Sequence, residues 1–259
     1  MAKRILHLSD LHFGRVNAPA LDSLRKTVLE REKNLSLIIV TGDWTQRARA
    51  REFQQAAEFI SSLSVPVVSV PGNHDVPLYD LPRRWLAPYS RYAQLRPLTL
   101  SSFQDDDISI VGVSTVNPFR IDAGAVHKDD VERARAFFRD APAGALKIVA
   151  CHHPLFDPRE KKWLRPERLA KALVQTGADV VLSGHSHLQW VEVQQTLGRD
   201  VLHISAGTGI SNRLRTEVNN FHIFEIESAP PRAAVTVETY DLTEQGFIER
   251  GLPTRRFVF

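Results

Sequence analysis

Aspartate, asparagine and histidine recur in five short motifs of this 259-residue chain: Asp10-Leu11-His12, Gly42-Asp43, Gly72-Asn73-His74-Asp75, His152-His153-Pro154 and Gly184-His185-Ser186-His187. Imidazole nitrogens, carboxylates and an amide oxygen suit borderline or hard divalent cations such as Mn, Fe, Zn or Co, and no thiolate accompanies them. Two such cations roughly 3.5–4 Å apart form a device for phosphoester hydrolysis, and they need a ligand that touches both, which a carboxylate does. Consecutive side chains diverge, so His74 is poorly placed to ligate the same ion as Asn73. With an ordinary pKa near ~6.5, a free imidazole there exchanges a proton around neutrality.

Side chains scattered over 178 positions act together only if regular elements bring them together. Four motifs directly follow short apolar runs, Ile5-Leu6-His7-Leu8, Leu37-Ile38-Ile39-Val40, Val67-Val68-Ser69-Val70 and Asp179-Val180-Val181-Leu182. The fifth follows Leu146-Lys147-Ile148-Val149-Ala150. Such runs, bounded by Gly, Pro and Asn, read as buried strands. Ligands just past neighbouring strand ends converge on one sheet edge. Between the runs, residues 19–33, 49–63, 128–139 and 166–176 carry amphipathic helical spacing, and Asp129 and Asp130 suit a helix N-terminus. Strand–helix–strand alternation implies parallel strands. After Leu188 the texture turns to β, near 189–196, 200–206, 220–227, 234–241 and 254–259. With no linker between the parts, these segments are expected to form the other sheet of one domain spanning 1–259.

The motif order, carried by Leu8-Ser9-Asp10-Leu11-His12-Phe13-Gly14, Pro71-Gly72-Asn73-His74-Asp75, His152-His153-Pro154 and Gly184-His185-Ser186-His187, resembles the calcineurin-like metallophosphoesterase superfamily. Within it the pattern is closest to the class III cyclic nucleotide phosphodiesterase group. The resemblance implies a four-layer α/β/β/α sandwich of two mixed sheets. It implies a dinuclear centre in which Asp43 bridges, Asp10, His12 and His187 complete one shell, and Asn73, His152 and His185 the other. His152 is preferred over His153 because the family's pattern is His-x-Pro. The implied nucleophile is a hydroxide bridging two divalent ions, with His74 stabilising the phosphoryl charge and protonating the leaving oxygen. Asp75 would orient His74 or hold the Asn-His turn.

The implied activity is hydrolysis of phosphodiesters, cyclic nucleotides among them. A pyrophosphohydrolase of a nucleotide-linked lipid precursor such as UDP-diacylglucosamine is the enzyme alternative, but its motif usually reads Gly-Asn-Arg-Asp. Double-strand-break repair nucleases share the site and commonly carry further DNA-binding segments, for which this length leaves little space. A non-catalytic scaffold would show eroded ligands, and every ligand type is intact.

The remaining features carry weaker signals. His7, mid-strand, and His153 read as packing or second-sphere groups; His127, His203 and His222 read as structural. Gly42, Gly72 and Gly184 read as turn glycines. Ser205-Ala206-Gly207-Thr208-Gly209 lacks the strand-to-helix setting of a phosphate loop. Downstream, Arg213 or Arg215 could clamp a phosphate bidentately, with surface ion pairing the competing reading. Residues 76–98 interleave four prolines with Tyr79, Trp85, Tyr89 and Tyr92, either an irregular excursion or a cap over the metals. Asp105-Asp106-Asp107 reads as a solvated turn between two strands. A formal charge of +3 gives no case for nucleic acid. The single cysteine, Cys151, excludes an internal disulfide and suits a reducing compartment. No signal-peptide pattern or run of ~18 apolar residues appears, so a cytoplasmic protein with a small-molecule substrate is expected. Oligomeric state stays open, a homodimer being one outcome.

Overall fold

In the computed structural model, which describes residues 2–196, 198–229, 232–250 and 255–259, two twisted sheets lie face to face. The first begins with β1 (Lys3–Leu8), β2 (Leu37–Val40) and β3 (Val67–Ser69), parallel to one another. The second is centred on β5 (Ile108–Val113), β6 (Leu146–Cys151) and β9 (Val180–Ser183), also parallel, with β4 (Ser102–Gln104) antiparallel at its edge. Residues 105–107 form the turn between β4 and β5, and Asp105 also holds Lys3 at 2.7 Å.

Alternation along the strands explains the layers. Ile5, Leu37 and Ile39 face the other sheet's Ile110, Ile148 and Leu182, while Leu6, Leu8, Ile38 and Val40 point the opposite way. The outward face is covered by α1 (Ala18–Arg31) and α2 (Ala50–Ser61) through Leu24, Val28, Phe53 and Phe59. The second sheet's outer face is covered by α4 (Lys128–Arg139) and α5 (Glu167–Val174) through Val131, Phe138 and Leu173. The result is an α/β/β/α sandwich.

The segments after Leu188 do not make a sheet of their own. Strands β10 (Trp190–Thr196) and β11 (Arg199–Ser205) extend the second sheet, with β11 parallel to β9. Strands β12 (Asn220–Ala229), β13 (Arg232–Thr243), β14 (Gly246–Glu249) and β15 (Arg255–Val258) return to the first, where β12 pairs antiparallel with β1. Strand β12 explains the split: Phe221 and Ile223 sit in the helix-side core and Phe224 and Ile226 between the sheets. A strand apolar on both faces needs a central place, and the open flank of β1 supplies one. A period of two reveals a strand and not its partner.

Residues 76–98 hold a short helix α3 (Leu81–Leu86) and a single 3₁₀ turn (Tyr92–Leu95). Tyr92 and Leu95 are buried in the helix-side core, whereas Tyr79, Trp85 and Leu86 are exposed. Among the described residues, no helix is long and apolar enough to cross a membrane.

Candidate metal centre

Every motif lies just beyond the C-terminal end of a parallel strand: Asp10 and His12 after β1, Asp43 after β2, Asn73 and His74 after β3, His152 after β6, His185 and His187 after β9. The loops are held in unusual backbone conformations. Seven non-glycine residues among those described have positive φ, and five are Asp10 (53°), His12 (47°), Asp43 (54°), His185 (66°) and His187 (57°). Left-handed backbone is uncommon for any non-glycine residue, though Asp and His adopt it more readily than most, so five instances in these loops mark a conformation the surrounding fold holds in place.

Two glycines act through space rather than through turn conformation. A Cβ at Gly72 would fall 2.1 Å from Asp43 Oδ1, and one at Gly184 would fall 1.7 Å from Ser9 Oγ. Gly42 alone of the three motif glycines has positive φ, at 93°. Gly72→Ala should therefore displace the Asp43 carboxylate and lower divalent-metal content in the purified protein. Normal metal content in that variant would mean the loop relaxes freely.

The histidine tautomers follow from fixed acceptors. His152 Nδ1 donates to the Thr41 carbonyl (2.7 Å), leaving Nε2 as the lone-pair nitrogen. That atom faces two further acceptors, Asn73 Oδ1 at 3.0 Å and Asp43 Oδ1 at 3.4 Å. His185 Nδ1 faces the same Asn73 oxygen at 3.2 Å. On the other side, His12 Nδ1 donates to the Thr45 carbonyl (3.3 Å) and His187 Nδ1 lies 2.6 Å from Thr208 Oγ1. Their Nε2 atoms point at Asp10 Oδ1, at 3.5 and 3.4 Å, and His12 Nε2 is 3.7 Å from Asp43 Oδ2. Asp10 Oδ2 is already engaged by Ser9 Oγ (2.7 Å) and the His185 amide (2.9 Å).

Lone pairs facing lone pairs in a buried site require something positive between them. Asp10 Oδ1 and His12 Nε2 are both buried with no hydrogen-bond partner. Asp43 turns one oxygen toward each histidine set. Burial, with the charges of Asp10 and Asp75, pushes the Asp43 carboxyl well above its ordinary range. Divalent cations would reverse that cost, which is how such donor sets are satisfied. Burial also depresses the imidazoles, His185 to about 3 and His187 to about 4, so both are unprotonated and competent to ligate at neutral pH. The donor set fits two cations: Asp10, His12, Asp43 and His187 around one, and Asp43, Asn73, His152 and His185 around the other.

The remaining candidates separate by their contacts. His153 has both ring nitrogens engaged, Nδ1 with Thr115 Oγ1 (2.9 Å) and Nε2 with the Asp122 carbonyl (3.2 Å), although its ring packs 4.3 Å from that of His185. Asp75 is not among the hydrogen-bond partners of the His74 imidazole, which are Gln46 and Arg213. It accepts from the amides of Trp44 (3.2 Å), Thr45 (2.9 Å) and Gly72 (2.9 Å) and from Thr45 Oγ1 (3.0 Å), tying the second and third motif loops together. Burial raises its pKa to about 6 against those hydrogen bonds. Cys151 is buried and its thiol pushed up to about 12, which removes it as a nucleophile. His7 stacks against His222 between the sheets, 6.1 Å between ring centres.

His74 differs from the expected free acid. Its Nδ1 donates to the Gln46 carbonyl (2.8 Å), and Arg213 Nη1 donates to its Nε2 (2.6 Å). Burial, with His12 and Arg213 nearby, lowers its pKa to about 3. The resting imidazole is therefore neutral and capped by a guanidinium. Arg215 is exposed, and its charge helps depress His185 and His187. Thr41, Thr45 and Gln46, which fix tautomers through backbone carbonyls, left no trace in the sequence. Thr208, inside the Gly-rich stretch, was visible there without its role.

Comparison with known proteins gives four matches. Residues 3–189 match the family model described as calcineurin-like phosphoesterase. The 3′,5′-cyclic adenosine monophosphate phosphodiesterase CpdA of Escherichia coli (strain K12) is 24% identical over 208 residues, covering 73% of this chain and 67% of that protein. Among solved structures, purple acid phosphatase PPD1 from yellow lupin (Lupinus luteus) seeds superposes over 100% of this chain and 53% of its own, with a TM-score of 0.67 and 12% identity. GAP50, the anchor in the inner membrane complex of Plasmodium, superposes over 99% of this chain and 88% of its own, with a TM-score of 0.63 and 13% identity. At such identities the two superpositions speak for the fold alone.

Proposed function

The chain belongs to the calcineurin-like phosphoesterase family, and from that premise we propose that it is a metal-dependent phosphodiesterase acting on a small diester, with nucleotides as the leading substrate class. The observation that carries this reading is the Asp43 carboxylate, whose two oxygens face two opposed sets of lone-pair donors while Asp10 Oδ1 and His12 Nε2 stand buried and unpartnered. Two divalent cations held there would supply Lewis acidity and an acidified water for attack on phosphorus. The CpdA likeness supports the diester and nucleotide part of the reading.

The chain's own groups supply the rest. Arg213, resting on His74, presents a guanidinium beside the metal-binding cluster, where a phosphoryl oxygen can take over its hydrogen bond. That exchange frees His74 Nε2. An anion alongside favours the protonated imidazole, so substrate arrival raises the proton affinity that burial had suppressed. The freed Nε2 then takes up a proton from solvent and passes it to the leaving oxygen as the P–O bond breaks, Nδ1 keeping its own on the Gln46 carbonyl. Asn73 contributes a neutral oxygen, which leaves the centre more positive than a further carboxylate would.

Diesters should be preferred over monoesters. A singly charged diester would be neutralised by cations held in this cluster, whereas a monoester dianion would bind them more tightly and compete with the attacking water. With added Mn²⁺, bis(p-nitrophenyl) phosphate should turn over faster than p-nitrophenyl phosphate at matched concentrations from pH 6 to 9. Faster monoester hydrolysis throughout would place the protein among phosphatases. Cleavage of no diester, cyclic nucleotides included, would favour pyrophosphate hydrolysis.

A further inference from the structure

Two cavities meet at the histidine cluster, and they differ in size. One, of about 100 Å³, is lined by Asn73, His74 and Arg213 and suits a single phosphoryl group. The other, of about 540 Å³, opens from His153, His185 and Ser186 and is large enough for a nucleotide-sized ligand. Asp122 lines both, so the two spaces adjoin.

The larger cleft has a built wall. The buried Arg84 donates to the carbonyls of Pro77 (3.0 Å), Pro118 (2.6 Å) and Arg120 (2.6 Å), clamping the 117–122 loop to the 76–87 segment. His153 Nε2 holds the same loop at the Asp122 carbonyl. A Cβ at Gly124 would fall 2.4 Å from the His153 ring, so the loop lies directly on that imidazole. The opposite wall is the hairpin of β7 (Phe156–Asp157) and β8 (Lys162–Trp163).

Trp163 lines this cleft, its ring 5.3 Å from Phe156 and 6.4 Å from His203, with Lys171 Nζ over it at 5.5 Å. The hairpin's acids are already matched, Asp157 with Arg159 (2.9 Å) and Glu160 with Lys162 (3.7 Å). Arg120 and Arg165 line the same cleft, and neither has a carboxylate partner among the described residues. The indole face away from Lys171 can stack a base, and the two guanidiniums outnumber Asp122, the cleft's carboxylate without an ion-pair partner among the described residues.

We propose that this cleft receives the leaving group, a nucleotide whose base stacks on Trp163 and whose further phosphate is bound by Arg120 and Arg165. The inference rests on the phosphodiesterase reading and narrows its substrate class to diesters whose leaving group is itself anionic, such as linear 5′-phosphorylated oligonucleotides. In the reaction, water adds to the scissile phosphorus, the bond from phosphorus to the leaving 3′ oxygen breaks, and a proton passes to that oxygen; a 5′-phosphorylated diadenylate yields two 5′-monophosphates.

The test compares kcat/KM for 5′-phosphorylated diadenylate and for unphosphorylated diadenosine diester, in the wild type and in an Arg120→Ala, Arg165→Ala double variant, with Mn²⁺ present. The wild type should prefer the phosphorylated substrate by roughly tenfold or more, the effect of losing charge-assisted hydrogen bonds, and the double variant should bring that ratio near one. Calorimetry on metal-free protein gives a second readout: ADP should bind more tightly than adenosine, the difference vanishing in the double variant, and Trp163→Ala should weaken both. Equal treatment of the two dinucleotides by the wild type, or a preference that survives in the double variant, overturns the proposal. If no diester is cleaved at all, the phosphodiesterase reading fails, and the ADP-to-adenosine comparison still decides the subsite.

Discussion

Replacing Asp43 with alanine is expected to empty or distort both cation sites at once, and to abolish turnover. Asp43 turns one oxygen to each histidine set, Oδ2 at 3.7 Å from His12 Nε2 and Oδ1 at 3.4 Å from His152 Nε2. Removing it also strips the His74 amide of its acceptor, Asp43 Oδ1 at 2.8 Å. By contrast His187→Ala removes a donor from one set only and should chiefly weaken one site. Metal analysis of the two purified variants separates the cases. Asp43→Ala protein that keeps two metals and near-normal turnover would show that the assigned bridge is wrong.

The second large effect belongs to His74. His74→Ala should lose roughly 10²–10⁴-fold in kcat, the usual cost of a general acid, while metal content stays close to normal. The loss should shrink for nitrophenolate leaving groups, which need little protonation. Arg213→Ala should behave differently: its guanidinium is assigned to the phosphoryl oxygens, so its loss should fall on good and poor leaving groups alike. The pairing of the two side chains at 2.6 Å also predicts that the His74→Ala, Arg213→Ala double variant loses less than the sum of the single effects, because each single change leaves the partner group unmatched. An equal loss across leaving groups for His74→Ala would reassign it to substrate positioning.

The sandwich was legible because the chain spells its buried strands as apolar β-branched runs and places a polar motif directly after each. The same economy made the metal-binding residue types visible without any contact information. Pairing was not legible. The segments after Leu188 read as strands, yet nothing in their spacing revealed that β10 and β11 join one sheet and β12, β13, β14 and β15 the other. Strand β14, with the sequence Gly246-Phe247-Ile248-Glu249, is too short and too exposed to stand out. Four helices lay where the amphipathic spacing put them, while α3 was hidden among prolines.

At the site the limits are of another kind. The left-handed backbone at Asp10, His12, Asp43, His185 and His187 is imposed by neighbouring loops rather than by glycine, so residue type does not announce it. The groups that fix the imidazole tautomers are mostly main-chain carbonyls, at Thr41, Thr45 and Gln46, which any residue could present. The Arg213–His74 contact joins residues 139 positions apart. Burial above all, with His12 and Arg213 adding to it, lowers the His74 pKa to about 3, against the ordinary value that the residue type suggests.

One cluster of seven side chains is proposed to hold two cations with Asp43 between them. Anomalous diffraction from crystals of the protein grown with Mn²⁺ tests it most directly. Two manganese peaks per chain are expected, one among Asp10, His12 and His187 and one among Asn73, His152 and His185, with the Asp43 carboxylate reaching both. A single peak at saturating Mn²⁺, or a second peak away from Asn73, His152 and His185, would contradict it.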